Sequence, residues 1–269
     1  MKFFPLSALA SIALWAAPAA AAPPLEPTGK WVVDFAPSQC TAARDYGTKD
    51  KPLALVLKPS AVGSVMTMAN VRGGALADIF QRDAALRLDQ GPSMPVSLLA
   101  FSPPGQKRRV EMINLPLESF ALVRQSKTLS IAGKGVSLNF SLAGMIPLMK
   151  AMDSCLADLQ QVWNVGEKAQ ARLRRGPMST NPLRGYFNAN DYPGLAIRQE
   201  QSGLVEFALL IDETGKVADC TLIKTSGVAA LDAQSCAVIK RRGAFLPALG
   251  LDGKPVKAAT THRIRWEFP

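Results

Sequence analysis

Few residues of this chain have the types and spacing that catalysis or metal binding requires. The 269 residues include four cysteines and a single histidine, His262. The sequence contains no G-x-S-x-G elbow, H-E-x-x-H helix, P-loop or G-x-G-x-x-G turn. A serine or cysteine triad would have to be built around His262. We therefore predict no catalytic residue, metal site, cofactor or small-molecule substrate.

The cysteines point to disulfide bonds. None of them is spaced as C-x-x-C, so the sequence favours neither a redox motif nor a zinc ribbon. An even number of cysteines in an exported protein suggests two disulfides, and four cysteines allow three pairings. Cys40 and Cys155 lie in the first part of the chain, Cys220 and Cys236 in the last, so pairing within each part is the simplest prediction. Buried free thiols in the second pair are the alternative.

The first 22 residues resemble a signal peptide. Lys2 precedes an apolar run from Phe3 to Trp15, and residues 16–22 offer small side chains for cleavage. This predicts a periplasmic protein in a Gram-negative-type envelope. The alternative is an inner-membrane anchor formed by residues 3–22, although Pro5 and Pro18 shorten the uninterrupted apolar run.

A basic segment separates two parts of the mature chain. Residues 165–190 are rich in Gly, Pro, Ser and Asn, which is linker composition. Within residues 164–190, Glu167 is the one acidic residue before Asp191, against five cations: Lys168, Arg172, Arg174, Arg175 and Arg184. Such a linker suits an anionic cell-wall polymer or membrane surface, or is simply a solvated connector. Export argues against nucleic acid as a partner.

We predict an α+β protein whose first domain, residues 28–164, is β-rich and closed by one helix. Strands are predicted at 31–35, 53–57, 110–115 and 137–142, the last two from apolar alternation. From Met145 to Trp163 apolar residues recur every three or four positions, which predicts an amphipathic helix. This layout weakly resembles the sandwich-like exported domains of the invasion-associated locus B type.

The second domain, residues 191–269, is predicted as β-β-α-β, an antiparallel sheet packed on a helix. Residues 203–211 and 216–224 form a hairpin around the turn Asp212-Glu-Thr-Gly215. A helix begins at Leu231, and the last strand covers residues 259–268. In that strand Ile264 and Trp266 share one face, opposite the charged side chains of Arg263, Arg265 and Glu267.

This succession resembles the C-terminal domain of TonB-type energy transducers. The family pattern appears here in order, over about 78 residues, as Tyr192-Pro193, Gly203, Asp212, Gly215, Val217, Ser226-Gly227, Leu231-Asp232, Phe245, Pro247, Ala248, Gly253, Pro255 and Val256. We interpret nearly all of these residues as fold-defining. The resemblance implies binding to outer-membrane TonB-dependent transporters, or to other periplasmic proteins, by addition of a peptide strand to a sheet edge.

The last strand is the predicted edge, and His262, Arg263, Arg265 and Glu267 are the predicted partner-binding residues. The charges of Arg263 and Arg265 fit either partner selection or protection against aggregation. Transducers of the family have an N-terminal helix bearing a functional histidine and a long Pro-rich spacer, and this sequence has neither. An envelope adaptor without energy coupling is therefore the alternative function.

Overall fold

The computed structural model describes residues 23–62, 65–103 and 105–268. The predicted signal peptide, residues 1–22, lies outside these ranges. Among the described residues, no helix is long and apolar enough to cross a membrane. The α+β class is confirmed: the chain is mostly β, with a large N-terminal sheet and a smaller C-terminal one.

The N-terminal domain contains nine strands and two helices. They are β1 (Val32–Ala36), β2 (Gln39–Asp45), β3 (Leu53–Pro59), β4 (Val65–Gly73), β5 (Phe80–Leu88), β6 (Ser93–Phe101), β7 (Arg108–Pro116), α1 (Leu117–Gln125), β8 (Thr128–Gly133), β9 (Val136–Ser141) and α2 (Met145–Val162). The four predicted strands and the predicted helix are present, with ends that differ by a few residues.

All nine strands belong to one antiparallel sheet, in the order β1-β2-β3-β4-β7-β6-β5-β8-β9. The sheet curls so far that its two ends come into contact. The Tyr46 hydroxyl, just after β2, donates to the Ser141 carbonyl at 2.7 Å, and the Tyr46 ring packs edge-on against Phe140 of β9. Leu25 bridges to Phe140 across the same gap. The strands predicted as sandwich-like are thus one continuous curled sheet.

Helix α2 lies along β2 and closes the core. Its buried face carries the predicted stripe, including Met145, Met149, Met152 and Leu159. The disulfide Cys40–Cys155 ties the helix to β2, and the Trp163 indole donates to the Pro37 carbonyl at 2.8 Å. Both contacts hold the helix on the inner face of the sheet.

The remaining elements form the C-terminal domain and its approach. They are α3 (Glu167–Gln170), β10 (Leu173–Arg175), β11 (Met178–Ser179), two 3-10 turns (Leu183–Tyr186 and Ala189–Asp191), α4 (Gly194–Arg198), β12 (Gly203–Ile211), β13 (Val217–Lys224), α5 (Ala229–Arg242), β14 (Phe245–Leu246), β15 (Ala248–Gly250), β16 (Pro255–Val256) and β17 (Ala258–Trp266). The predicted β-β-α-β order is β12, β13, α5 and β17, with short strands inserted after the helix.

The basic segment 165–190 is not a solvated connector, which corrects that interpretation. Its strand β10 pairs with β15, and β11 pairs with β14. The Arg175 guanidinium donates to the Pro247 carbonyl at 3.1 Å. The short strands β14 and β15 leave backbone groups unpaired, and this segment satisfies them, since buried backbone polar groups need partners.

The two domains share their cores. On the N-terminal sheet, Val65 and Leu99 are buried in the cluster that fills the C-terminal domain. From the other side, Leu210 and Ala259 are buried in the N-terminal core cluster. The Gln81 side chain also accepts from the Ala230 amide, at 3.1 Å, at the start of α5. The C-terminal domain is therefore seated on the outer face of the N-terminal sheet.

Candidate functional site

Strand β17 forms one edge of the C-terminal sheet, whose order is β13-β12-β17. It pairs with β12 over nine consecutive positions, from Gly203 opposite Trp266 to Ile211 opposite Ala258, without a register shift. The opposite edge, β13, faces the N-terminal domain, where Asp219 contacts Lys58. The sheet thus offers β17, rather than β13, to a partner.

The outward-facing peptide groups of β17 can be assigned from one contact. The Gln170 amide donates to the Ala259 carbonyl at 2.8 Å from outside the sheet. Since backbone groups alternate in direction along a strand, those of Thr261, Arg263 and Arg265 point to the same open side as those of Ala259. Gln170 caps the first of these positions, and in the described ranges no other group covers the donors and acceptors of the next three.

The predicted partner-binding residues are divided between the two faces of β17. Arg263, Arg265 and Glu267 are exposed, beside the open edge. His262 instead lies on the face that packs toward α5, with ring centroids 6.4 Å from Phe207 and 5.6 Å from Phe245. Burial lowers the pKa of His262 below its ordinary value. The structure therefore groups the two arginines with the edge and His262 with the core.

An aromatic groove of about 630 Å³ lies beside the end of β17. Trp266 packs edge-on against Tyr192 at 5.3 Å and against Phe187 at 5.5 Å, and all three residues line the groove. Arg184 and Arg265 contribute cations to it. The predicted motif residue Tyr192 also donates its hydroxyl to the Gln201 carbonyl at 2.5 Å, and Pro193 precedes the first turn of α4.

The hairpin turn holds its shape through Asp212. Its carboxylate accepts from the Thr214 amide at 2.9 Å, the Thr214 hydroxyl at 2.7 Å and the Lys216 amide at 3.0 Å. Burial alone would raise the pKa of Asp212, but these hydrogen bonds and the charge of Lys216 lower it overall. Gly215 has φ +84°, and a Cβ there would lie 1.9 Å from the Phe245 carbonyl oxygen. In these contacts Asp212 and Gly215 shape the turn.

A second carboxylate organises the start of α5. Asp232 accepts from the amide and the hydroxyl of Ser226, both at 2.8 Å, and from the Thr225 hydroxyl. Burial raises the pKa of Asp232, against the effect of these hydrogen bonds. Gly203 passes close to the same loop, since a Cβ on it would lie 2.6 Å from the Ser226 Cβ. Next to Asp232, Leu231 is fully buried.

The remaining motif residues build the segment after α5. The Phe245 amide donates to the Gly215 carbonyl at 3.0 Å, which joins this segment to the hairpin turn. Pro247 separates β14 from β15, and Pro255 pairs with Leu249. Gly253 has φ +77° in the turn between β15 and β16.

The disulfide Cys220–Cys236 joins β13 to α5, so both predicted pairings are present.

In the C-terminal domain, the sequence did not indicate that Asp191 and Asp219 are buried carboxylates. Asp191 binds Arg242 at 2.5 Å, and its hydrogen bonds lower its pKa although burial opposes this. Asp219 binds Lys58 of the first domain at 3.1 Å and Lys240 of α5 at 3.3 Å. Asn188 and Asp191 have the spacing of a capping box, so the sequence could have indicated a structural role for Asp191. Lys58 is 161 residues away from Asp219 in the sequence, and no local pattern indicates that the two side chains meet.

Metal chemistry finds no support in the described ranges, where no three His, Cys, Asp or Glu side chains are grouped as metal ligands. The site combines an open sheet edge with adjacent cations and an aromatic groove. An open edge of this kind has the backbone donors and acceptors to pair with an extended chain.

Comparison with known proteins agrees with the C-terminal geometry. Residues 188–268 match the model of the family described as Gram-negative bacterial TonB protein C-terminal. No curated protein and no solved structure matches the chain significantly. The match supports a TonB-like energy-transducer role and an envelope location, within a family that is not enzymatic. Because it does not reach residues 28–164, the resemblance to the invasion-associated locus B type stays a prediction.

Proposed function

Because residues 188–268 form a domain of the TonB C-terminal family, we propose that this protein binds a peptide segment of outer-membrane transporters or related envelope proteins. The bound segment adds as a strand to the open edge of β17, in the context of energy-coupled transport across the outer membrane. The protein acts in the periplasm.

The open row of peptide groups at Thr261, Arg263 and Arg265 carries this proposal. These positions repeat every second residue, about 6.8 Å apart, so they suit an extended segment of about five residues. Main-chain hydrogen bonds would supply affinity, and the side chains beside the edge would supply selection. Gln170 covers the Ala259 carbonyl and so limits the register that a bound strand adopts.

The charges beside this edge favour an acidic partner segment. Arg263 and Arg265 are exposed, and neither forms an ion pair within the part of the chain that the structure describes. Arg265 also lines the aromatic groove, which suits an apolar side chain next to the acidic one. The preferred ligand is therefore an extended segment that combines an acidic and a large apolar residue.

A binding titration tests the proposal. The probes are synthetic peptides that copy the N-proximal segments of TonB-dependent transporters, and isolated plug domains from the same proteins. Reversing Arg263 and Arg265 to Glu should weaken binding of an acidic probe at least tenfold. The matched control reverses Arg172 and Arg174, two exposed cations of the segment 165–190, and should have little effect. The proposal fails if no probe binds at millimolar concentration.

An envelope adaptor without energy coupling is the second candidate. It is supported by the seating of the C-terminal domain on the N-terminal sheet and by the short, folded connection between them. In this function Arg172 and Arg174 bind the anionic cell wall, whereas Arg175 is already engaged by Pro247. Sedimentation with purified cell wall should then depend on Arg172 and Arg174 and not on Arg263 and Arg265.

A further inference from the structure

A tip of the N-terminal domain, formed by the end of α1 and the start of α2, exposes two large apolar side chains. Leu122 is 54% exposed and Ile146 is 86% exposed. Ile146 lies outside the buried stripe of α2, beside the buried Met145. An isoleucine so exposed gains nothing from the core, and its burial in a partner would be favourable.

Cations line the two grooves that open beside Ile146. Two grooves of about 650 and 580 Å³ open on the tip, and Ile146 lines both of them together with Arg124. Lys127 lines one groove and Lys150 the other. Arg124 pairs with Asp153, whereas Lys127 and Lys150 form no ion pair within the described ranges.

The tip is separate from the peptide-binding edge. All residues that line the two grooves come from positions 121–153 of the chain. The C-terminal domain is seated on a different surface, the outer face of β4 and β6, where it buries Val65 and Leu99. A ligand on the tip therefore leaves the β17 edge accessible.

We propose that this tip docks on a bilayer surface that contains anionic phospholipids. Ile146 enters the interface between headgroups and acyl chains, while Lys127 and Lys150 contact lipid phosphates. An amphipathic surface with apolar side chains between unpaired cations is the arrangement that binds membranes peripherally. The predicted basic segment 165–190 has a different environment, since part of it is paired with β14 and β15.

Vesicle sedimentation with the full mature chain tests this proposal. Vesicles of phosphatidylcholine with about one third phosphatidylglycerol are compared with vesicles of phosphatidylcholine alone. Ile146→Asp is compared with Val162→Asp, which alters another exposed apolar residue of the same helix, 51% exposed. Lys127→Glu with Lys150→Glu is compared with Lys107→Glu and Lys134→Glu, which change the net charge equally at exposed positions outside the tip and the basic segment.

We expect binding to the anionic vesicles alone, weakened about tenfold by Ile146→Asp and by at least about fivefold for each reversed lysine of the tip. The Val162→Asp and Lys107/Lys134 controls should bind as the parent protein does. Circular dichroism melting should show that all variants fold, and Ile146→Ala should give an intermediate loss. The proposal is overturned if the tip and control variants lose vesicle binding equally. It is also overturned if the protein binds both vesicle types and no variant loses binding.

Discussion

The carboxylate of Asp219 is positioned to hold the two domains together. It is 3% exposed, on β13, and it accepts from Lys58 of β3 and from Lys240 of α5. Because Lys58 belongs to the N-terminal domain, this buried contact crosses the interface. Replacing Asp219 by Ala removes both ion pairs and leaves two ammonium groups with less solvation than in water.

The magnitude follows from how exposed each lysine is. The Lys58 side chain is 23% exposed, so its charged hydrogen bond is worth about 1.5–3 kcal/mol. The Lys240 side chain is 44% exposed and is screened by water, so its pair contributes at most about 1 kcal/mol. We therefore expect Asp219→Ala to lower the free energy of unfolding by about 2–4 kcal/mol.

Urea denaturation, followed by tryptophan fluorescence and circular dichroism, measures this loss. Asp252→Ala is the matched control, since Asp252 pairs with Lys254 at 3.9 Å on the exposed surface of the same domain and accepts from the Lys254 amide at 3.0 Å. It should lower stability by about 1 kcal/mol or less. Lys58→Met should cost more than Lys240→Met. The reasoning is refuted if Asp219→Ala behaves like Asp252→Ala, or if Lys240→Met is the more damaging of the two lysine variants.

Three further results are expected. Replacing Cys220 and Cys236 together by Ala removes a short covalent loop and should cost about 3 kcal/mol in urea unfolding; an unchanged midpoint would contradict this. Gly215→Ala should cost well over about 2 kcal/mol, from positive φ and the contact with Phe245, whereas Gly74→Ala, with φ +88° and open space, should cost about 1–2 kcal/mol in the same assay. The lowered pKa of His262 means that, below about pH 6.5, the unfolded chain binds a proton that the folded chain does not. Stability should then fall as pH decreases through this range, and His262→Gln should remove that part of the dependence in pH-series melting; an identical pH profile would refute it.

Local patterns were sufficient to predict the C-terminal domain. The hairpin is indicated by alternating apolar residues and by Asp212 and Gly215, whose turn chemistry is contained within five residues. The disulfide pairings followed from the positions of the four cysteines, and the Met145–Trp163 stripe predicted α2. For the hairpin and for α2, the physical cause lies within a few residues or within one element.

Long-range contacts explain what the sequence could not predict. The segment 165–190 has linker composition, yet β10 and β11 pair with strands about 70 residues later because β14 and β15 need partners. His262 is different: its grouping with the exposed arginines was avoidable, because strand alternation alone places it on the face of Ile264 and Trp266, toward Phe207 and Phe245. Ile146 lies in α2, whose amphipathic pattern predicts which face of the helix is buried. The pattern does not predict which residues lie beside the exposed face, where Ile146 is found.

Substitution of Arg263 tests the central claim, strand addition to β17, most directly. Arg263→Pro removes an outward-facing N–H and is tolerated at a sheet edge, because that N–H has no partner among the residues that the structure describes. Arg263→Ala removes the charge and keeps the N–H. We expect binding of a transporter-derived peptide, measured by titration calorimetry, to weaken at least about tenfold with proline and only slightly with alanine. Equal affinities for the proline variant and the parent, in a protein that circular dichroism shows to be folded, would contradict strand addition.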